Sequence, residues 1–417
     1  MQEVHNPSKA ADQDDSIMWY YAIRNKSFGS DMKIGVIGAR VAGSYAGLLL
    51  SRLGHEVVLF DDSVEKEKPC GGGVTFKALR KMKWLSDHPL PHTRVGSIRL
   101  ITREGYASNL PLPHPIHIFP RLSLESSLRQ WAISAGAHFR PERVLGFFRD
   151  NGGWSIRTAG GETGVDYLIG ADGTKSLVRT SLVGNYASGD LSLALGYTIP
   201  RSPDERTVLI SFQESGFQGY IWSFPQVGQA SVGILQSLPQ ANAADLRKRV
   251  EEFIKIHHPE ADAGKRFYAA TIPSLSRKSL VGQRVCGKNW ALLGDAAGFT
   301  DAITAEGIYY ALRSAELLAQ AFDRGDPTSY ESAWRSDFRY YLESAAAWKD
   351  RFYGGTVFFA SFVRRALQSL RYSGTVQMLL DNLISGHITY KSLFVNLVLR
   401  SPWILLQVFR NRSLVRR

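Results

Sequence analysis

The stretch KIGVIGARVAGSYAGLLLSRLGHEVVLFDD, Lys33 to Asp62, constrains this chain more than any other. Lys33 to Ile37 is a short apolar run ending in glycine, which suits a buried parallel strand. Gly38 permits a tight turn, and beyond Gly43 the residues Ala46, Leu48, Leu49, Leu50 and Leu53 recur at helical spacing until Gly54 stops the helix. EVVLFDD then restarts a buried strand. The turn delivers a helix N-terminus, whose unpaired N–H groups and positive dipole end hold a pyrophosphate. Asp61 lies 23 residues beyond Gly38, where a carboxylate takes the two ribose hydroxyls of an adenosine. Strand, turn, helix, second strand and acid together read as a dinucleotide-binding unit.

One position departs from that pattern. The fingerprint G-x-G-x-x-G reads Gly38, Ala39, Arg40, Val41, Ala42, Gly43, so arginine replaces the second glycine. Its side chain turns either towards the phosphates or away from them, and spacing does not choose.

A chain of 417 residues holds two joined domains with sizeable cores, and a hydrophobic share of 44% is that of a globular protein. Two cysteines, Cys70 and Cys286, give no disulfide framework and fit a reducing compartment. The net charge of +12 is uneven: residues 351–417 contain ten Lys/Arg and one Asp, a local balance of +9. These charges alternate with apolar runs and lack the polar interleaving of a phosphate-tracking groove, so the pattern favours a membrane surface over nucleic acid.

Residues 1–31 are polar and aperiodic and read as a disordered lead without a secretory signal, which places the body in the cytoplasm. In EKEKPCGGGVTF, three glycines after Cys70 let backbone press against a flat ligand. An amphipathic helix is expected over Pro120 to Phe139, with Arg121 at its start, where a cation calls for an anionic partner. Tyr167 to Gly170 reads as a strand returning to the first sheet. From about Leu191 the alternating segments LALGYTIP, TVLISFQ, GYIWSFPQ and ASVGILQ predict an antiparallel sheet, with Tyr220, Trp222 and Phe224 pointing to one side. Trp290 to Phe322 predicts a strand, a turn at Gly294 and Asp295, and a long helix beginning near Gly307. The tail from about Phe352 is apolar, basic and helical, Arg400 and Pro402 break its best candidate for a membrane span, and it reads equally as an interfacial helix or as a helical cap packed on the domain.

Four of these stretches, the glycine-rich opening with Asp61, KPCGGG, IGADG at 169–173 and LLGDAAGFTDAITAEGIYYAL at 292–312, together resemble FAD-dependent oxidoreductases of the geranylgeranyl reductase family, within the aromatic-hydroxylase-like flavoprotein group. YIWSFP at 220–225 narrows the match, since that family carries Y-x-W-x-F-P in its substrate domain. The resemblance implies an α/β fold: a Rossmann-like FAD-binding domain at 32–185 and 280–345, part of the substrate region inserted around 75–120, an antiparallel-sheet substrate domain at 186–279, and a helical C-terminal region at 346–417. It assigns Gly38, Ala42 and Gly43 to the pyrophosphate and Asp61 to the adenosine ribose. Cys70, Gly71 and Gly73 lie along the flavin, Arg121 near its ribityl or phosphate part, and Val144 beside the adenine. Asp295 holds the ribityl or pyrophosphate end, and backbone N–H groups of Gly307 and Ile308 face the flavin pyrimidine. Where the family more often reads D-P-I-T-G-E-G, this chain has Asp301 to Gly307 with Ala302 and Ala305.

The implied activity is reduction of isolated C=C bonds in a prenyl lipid or quinone side chain by hydride from reduced FAD plus a proton. Tyr220, Trp222 and Phe224 line the substrate channel, and Cys70 is the candidate to tune the flavin or relay a proton. The electron donor is NADPH or another reduced carrier, including a donor protein, visiting transiently. The expected location is cytoplasmic and peripheral at the inner face of the membrane, held there by the C-terminal region. A flavin monooxygenase or halogenase is the alternative, although the halogenase signature W-x-W-x-I-P matches YIWSFP less well. A prenyl-lipid-binding flavoprotein without turnover is the second.

Overall fold

The computed structural model describes residues 32–66, 68, 70–88, 90–200, 205–261, 264–357 and 360–414. The expected lead, 1–31, lies outside the described residues.

The first sheet grows from the opening unit. β1 (Lys33–Ile37) pairs in parallel with β2 (Glu56–Phe60) on one side and β10 (Tyr167–Gly170) on the other. β6 (His138–Arg140) extends one edge, and β17 (Trp290–Leu292) with β16 (Cys286–Gly287) the other, giving the order β16-β17-β10-β1-β2-β6. Helices α1 (Val41–Arg52) and α4 (Ile308–Asp323) pack side by side, and Tyr45 on α1 donates to Glu316 Oε1 on α4 at 2.9 Å. A three-stranded sheet, β7 (Val144–Asp150), β8 (Gly153–Thr158) and β9 (Gly161–Val165), crosses β1 at Gly35, where an added Cβ would lie 2.3 Å from Ile156 Cδ1.

α2 (Arg121–Ser134) is shorter than the expected Pro120–Phe139 helix. Gly136, at φ +107°, turns the chain so that Phe139 enters β6 at the sheet edge.

The second sheet has eight strands in the order β15-β11-β14-β13-β12-β4-β5-β3. Its strands are β3 (Gly73–Val74), β4 (Thr93–Thr102), β5 (Ala107–Ile118), β11 (Leu191–Pro200), β12 (Thr207–Phe212), β13 (Gly219–Pro225), β14 (Gln229–Ser237) and β15 (Arg266–Pro273). All neighbours are antiparallel except β4 and β12, which run parallel from Ser97↔Thr207 to Thr102↔Phe212. Period-2 alternation distinguishes the two faces of a strand but carries no information on its neighbour's direction. α3 (Ala243–His257) covers one face through Leu246, Val250, Phe253 and Ile254, against Ile221, Val232 and Ile234. The opposite face presents Trp222, Leu235 and Tyr268, with Tyr220 and Phe224 beside them.

Four helices close the chain: α6 (Phe362–Leu370), α7 (Gly374–Ile384), α8 (Tyr390–Leu399) and α9 (Ser401–Leu414), following α5 (Arg339–Gly354). Leu370, Val376 and Ile404 from this group pack with Val95, Ile98 and Leu110 of β4 and β5.

Candidate active site

Two helices open on a single cleft of about 1080 Å³ between the two large sheets. Gly38 (φ +100°) ends β1, and a Cβ there would lie 2.4 Å from Ala171 O. At Gly43 an added Cβ would sit 1.8 Å from Gly38 O, so the first turn of α1 presses directly onto the strand end. Gly38, Ala42 and Asp61 line the cleft, and no side chain caps α1. The Asp61 carboxylate braces the turn, Oδ2 accepting from Ala39 N at 2.9 Å and Oδ1 from Ser63 N at 2.8 Å.

Arg40 lines the cleft with its guanidinium tied to neighbouring protein groups. Its Nη2 donates to Ser63 O and Lys66 O at 2.6 and 2.8 Å, and its Nη1 meets Glu125 Oε2 at 3.1 Å. The same buried Glu125 is the anionic partner expected for Arg121, with Nε to Oε1 at 2.7 Å. Burial opposes the Arg121 charge, but the Glu125 carboxylate outweighs it and holds the guanidinium protonated. Arg121 Nη1 reaches Cys70 Sγ at 3.6 Å, and both residues line the cleft.

The second helix start is built from distant parts. Asp295, Gly307 and Ile308 line the cleft, and α4 also lacks a side-chain cap. Burial pushes the Asp295 carboxyl up, but Lys68 at 2.5 Å, the Arg121 charge and the Thr300 hydroxyl bring it below the usual carboxylate range. The loop 301–307 is wound on Asp301, whose Oδ1 accepts from Ile303 N and Thr304 N at 2.9 and 2.8 Å. Ala305 in this loop stands at φ 57°, a left-handed conformation disfavoured for any residue with a Cβ. Three tyrosine hydroxyls tie the loop down: Tyr220 donates to Thr304 O, Tyr353 to Ile303 O at 2.7 Å, and Tyr390 to Asp301 Oδ1 at 3.1 Å. Lys77 and Thr75 hold Glu306 at 3.2 and 2.9 Å. Burial raises the Asp301 carboxyl above its ordinary range, against the two N–H donors.

The glycine loop after Cys70 presses against a flat surface, which is the ring of Phe224. A Cβ at Gly71 would fall 2.7 Å from its Cγ, and one at Gly73 would fall 3.0 Å from its Cε1. Gly71, Gly73 and Gly43 therefore stand behind the cleft wall, whereas Cys70 and Val144, the first residue of β7, stand on it. Tyr220 and Trp222 meet edge to face at 6.3 Å, and their cluster includes Ile272 and Ala305, which also line the cleft. Tyr220, Trp222, Phe224 and Tyr268 do not themselves line the cleft: Trp222 and Tyr268 are buried in the sheet's packing, and Ile272 and Ala305 are the members of their cluster that reach the space before the two helix starts. Sequence reasoning did not name Lys68, Glu125, Lys77, Tyr353 and Tyr390; Lys68 opens the KPCGGG motif, and Glu125, four residues after Arg121 on the same helix, sits at the spacing that could have identified the expected anionic partner.

Two uncapped helix starts, a backbone cradle closed to any Cβ, and a cleft of this volume fit a dinucleotide. A family model described as an FAD binding domain matches residues 31–322. Among curated relatives, a chloroplastic geranylgeranyl diphosphate reductase from Oryza sativa subsp. japonica is 28% identical over 349 residues, 75% of this chain and 71% of its own length. A menaquinone reductase from Mycolicibacterium smegmatis is 28% identical over 324 residues, 72% of this chain and 78% of its own. A solved geranylgeranyl bacteriochlorophyll reductase-like protein from Thermoplasma acidophilum shares the fold with a TM-score of 0.68 at 20% identity, over 91% of this chain and 99% of that one. A flavin-dependent brominase shares it with a TM-score of 0.65 at 16% identity, over 89% and 99%. The cradle and the family match agree: this chain belongs to the FAD binding domain family, and it is an FAD-dependent oxidoreductase similar to geranylgeranyl reductases.

Proposed function

We propose that the protein saturates isolated C=C bonds of a prenyl chain, carried on a lipid or a quinone. The observation that carries this reading is the apolar cluster of Tyr220, Trp222 and Tyr268, packed directly behind Ile272 and Ala305 of the cleft wall. A long unpolarised hydrocarbon needs an apolar chamber, and the relatives that act on geranylgeranyl diphosphate and menaquinone support the same substrate class.

An isolated alkene offers no carbonyl to polarise, so hydride addition must be matched by protonation that leaves developing positive charge on the more substituted carbon. Bound FAD, when reduced, supplies the hydride. The protein supplies placement, dryness and a proton. Tyr220 would turn its π-face to the developing cation, with the buried Trp222 packed edge to face against it. Burial holds the Tyr220 hydroxyl protonated, and that hydroxyl is occupied in donating to Thr304 O, so Tyr220 positions and does not titrate. Cys70 Sγ, on the cleft wall, is the atom we assign to hold the proton, with Arg121 setting its orientation. The uncapped N–H groups at Gly307 and Ile308 would stabilise negative charge on the pyrimidine edge of the cofactor. NADPH or another reduced carrier would visit to restore the electrons.

The test is anaerobic. The FAD-loaded protein is reduced with dithionite and mixed with detergent-dispersed prenyl lipids, and flavin reoxidation is followed alongside product mass. Two hydrogens gained per flavin oxidised is the expected result. Reoxidation only by dioxygen, with an oxygenated or halogenated product, would replace this reading with the monooxygenase one.

A further inference from the structure

The last two helices carry apolar side chains on both of their faces. On the inner side Leu397, Ile404 and Val408 join the cluster over β4 and β5, and Gln407 Oε1 accepts from Ser373 Oγ at 2.5 Å. On the outer side Val398, Leu399, Trp403 and Phe409 are 72, 73, 56 and 72% exposed. A helix on a water-facing surface needs one apolar stripe, so a second stripe calls for a second apolar phase.

Charge identifies that phase. Residues 382–417 contain six Lys/Arg and no Asp or Glu, and among the described side chains Lys391, Arg400 and Arg410 are exposed on or between the same two helices as the apolar ones. Geometry then decides between crossing and lying. Among the described residues no single helix is long and apolar enough to cross a membrane; α8 and α9 together have the length and composition, but they are bent by 68° around Arg400 and so do not form one straight span. Helices of 10 and 14 residues reach about 15 and 21 Å, short of the roughly 30 Å hydrocarbon core.

We propose that the outer face of α8 and α9 docks on an anionic bilayer surface, with Trp403 and Phe409 among the acyl chains and the basic residues at the phosphates. A second copy of the chain is the poorer occupant. A two-fold contact sets this patch against itself and brings its cations face to face. Docking also has a route to the site, because α8 begins at Tyr390, whose hydroxyl holds Asp301. The exposed end of α8 is thus one short helix from the loop before α4. The docking itself does not rest on the prenyl-reductase reading.

The full chain, loaded with FAD, is co-sedimented with vesicles of phosphatidylcholine alone and of phosphatidylcholine with phosphatidylglycerol, both free of prenyl lipid. Binding to the anionic vesicles is expected, falling more than about tenfold in the double variant Leu399→Ser, Phe409→Ser, which retains FAD. Arg400→Glu should lower binding to the anionic vesicles alone. Equal sedimentation of parent and double variant overturns the proposal, as does a parent that stays in solution with both vesicles. A drop in solution mass in the double variant, with vesicle binding unchanged, assigns the face to a second copy. Because no prenyl lipid is present, failure here leaves the reductase reading standing, and failure of that reading leaves this one.

Discussion

The helices α1 and α4 both aim an uncapped N-terminus at the same cleft, and they are held there by opposite means. α1 follows its strand by a three-residue turn, and its position rests on backbone packing within six residues, Gly43 against Gly38 O. α4 follows a loop bound by hydroxyls from β13, α5 and α8, up to 89 residues away. The first arrangement is local and admits no side chain at its critical points. The second depends on contacts from the second sheet and from the C-terminal helices, so its geometry reports on both.

The largest effect should come from breaking the local cradle. Gly43→Ala drives a Cβ into Gly38 O, where both partners are backbone and neither yields cheaply. We expect about 3 kcal/mol or more of destabilisation and protein that purifies without flavin, read by absorbance and thermal midpoint. Retention of FAD would mean that α1 can slide, and the contrast between the two helices would fail.

Next in size is the charge pair between the helices. Lys68→Met leaves the Asp295 carboxylate partly buried beside Arg121 alone, with an expected loss of about 2 kcal/mol at neutral pH. The sign with pH follows from the depressed carboxyl. The folded state binds fewer protons there than the unfolded chain, so the pair's contribution is full above the ordinary carboxyl range and lost as pH falls through the depressed value. The difference in thermal midpoint between parent and variant should therefore be flat from about pH 8 to 5 and close below about pH 4. A gap that widens in acid would refute the pairing.

This contrast also explains what could be read in advance. The cradle of Gly38, Gly43 and Asp61 was legible because each constraint lies within one strand-turn-helix unit. Arg40 was half legible: its misfit with the fingerprint was visible, but its partners Ser63, Lys66 and Glu125 lie beyond the motif. At Gly71 and Gly73 the expectation was a flat ligand, and the flat group that closes on both positions is the Phe224 ring, which comes from β13, a strand distant in the sequence. Tyr353 and Tyr390 were not legible, since a tyrosine in an apolar helix looks like core until its hydroxyl is seen to have a partner. The parallel pairing of β4 with β12 was hidden for a similar reason, being a choice of neighbour that no local pattern encodes.

Removing one tertiary tie should cost less than breaking the cradle and should leave α1 untouched. Tyr390→Phe deletes the donor to Asp301 while the two N–H groups remain, an expected loss of about 1–2 kcal/mol. FAD should stay bound while turnover falls, and amide exchange should quicken across 301–307 but not across 38–43. Equal quickening in both segments would show that the two helix starts form one cooperative unit.

The smallest effect tests whether the loop's backbone strain is balanced. Ala305 at φ 57° costs about 1–2 kcal/mol relative to an ordinary conformation, and glycine would relieve it. Glycine would also widen the unfolded ensemble by about 0.4–1 kcal/mol. It would further remove a methyl packed against the Trp222 and Tyr268 cluster, worth up to about 0.8 kcal/mol. These contributions nearly cancel, so Ala305→Gly should leave the thermal midpoint close to that of the parent, with the chamber wall one methyl thinner. A clear gain in stability would mean that the three tyrosines hold the loop against uncompensated strain. A clear loss would mean that the methyl is part of the chamber's packing, and that the aromatic face and the loop before α4 are fitted to each other through this residue.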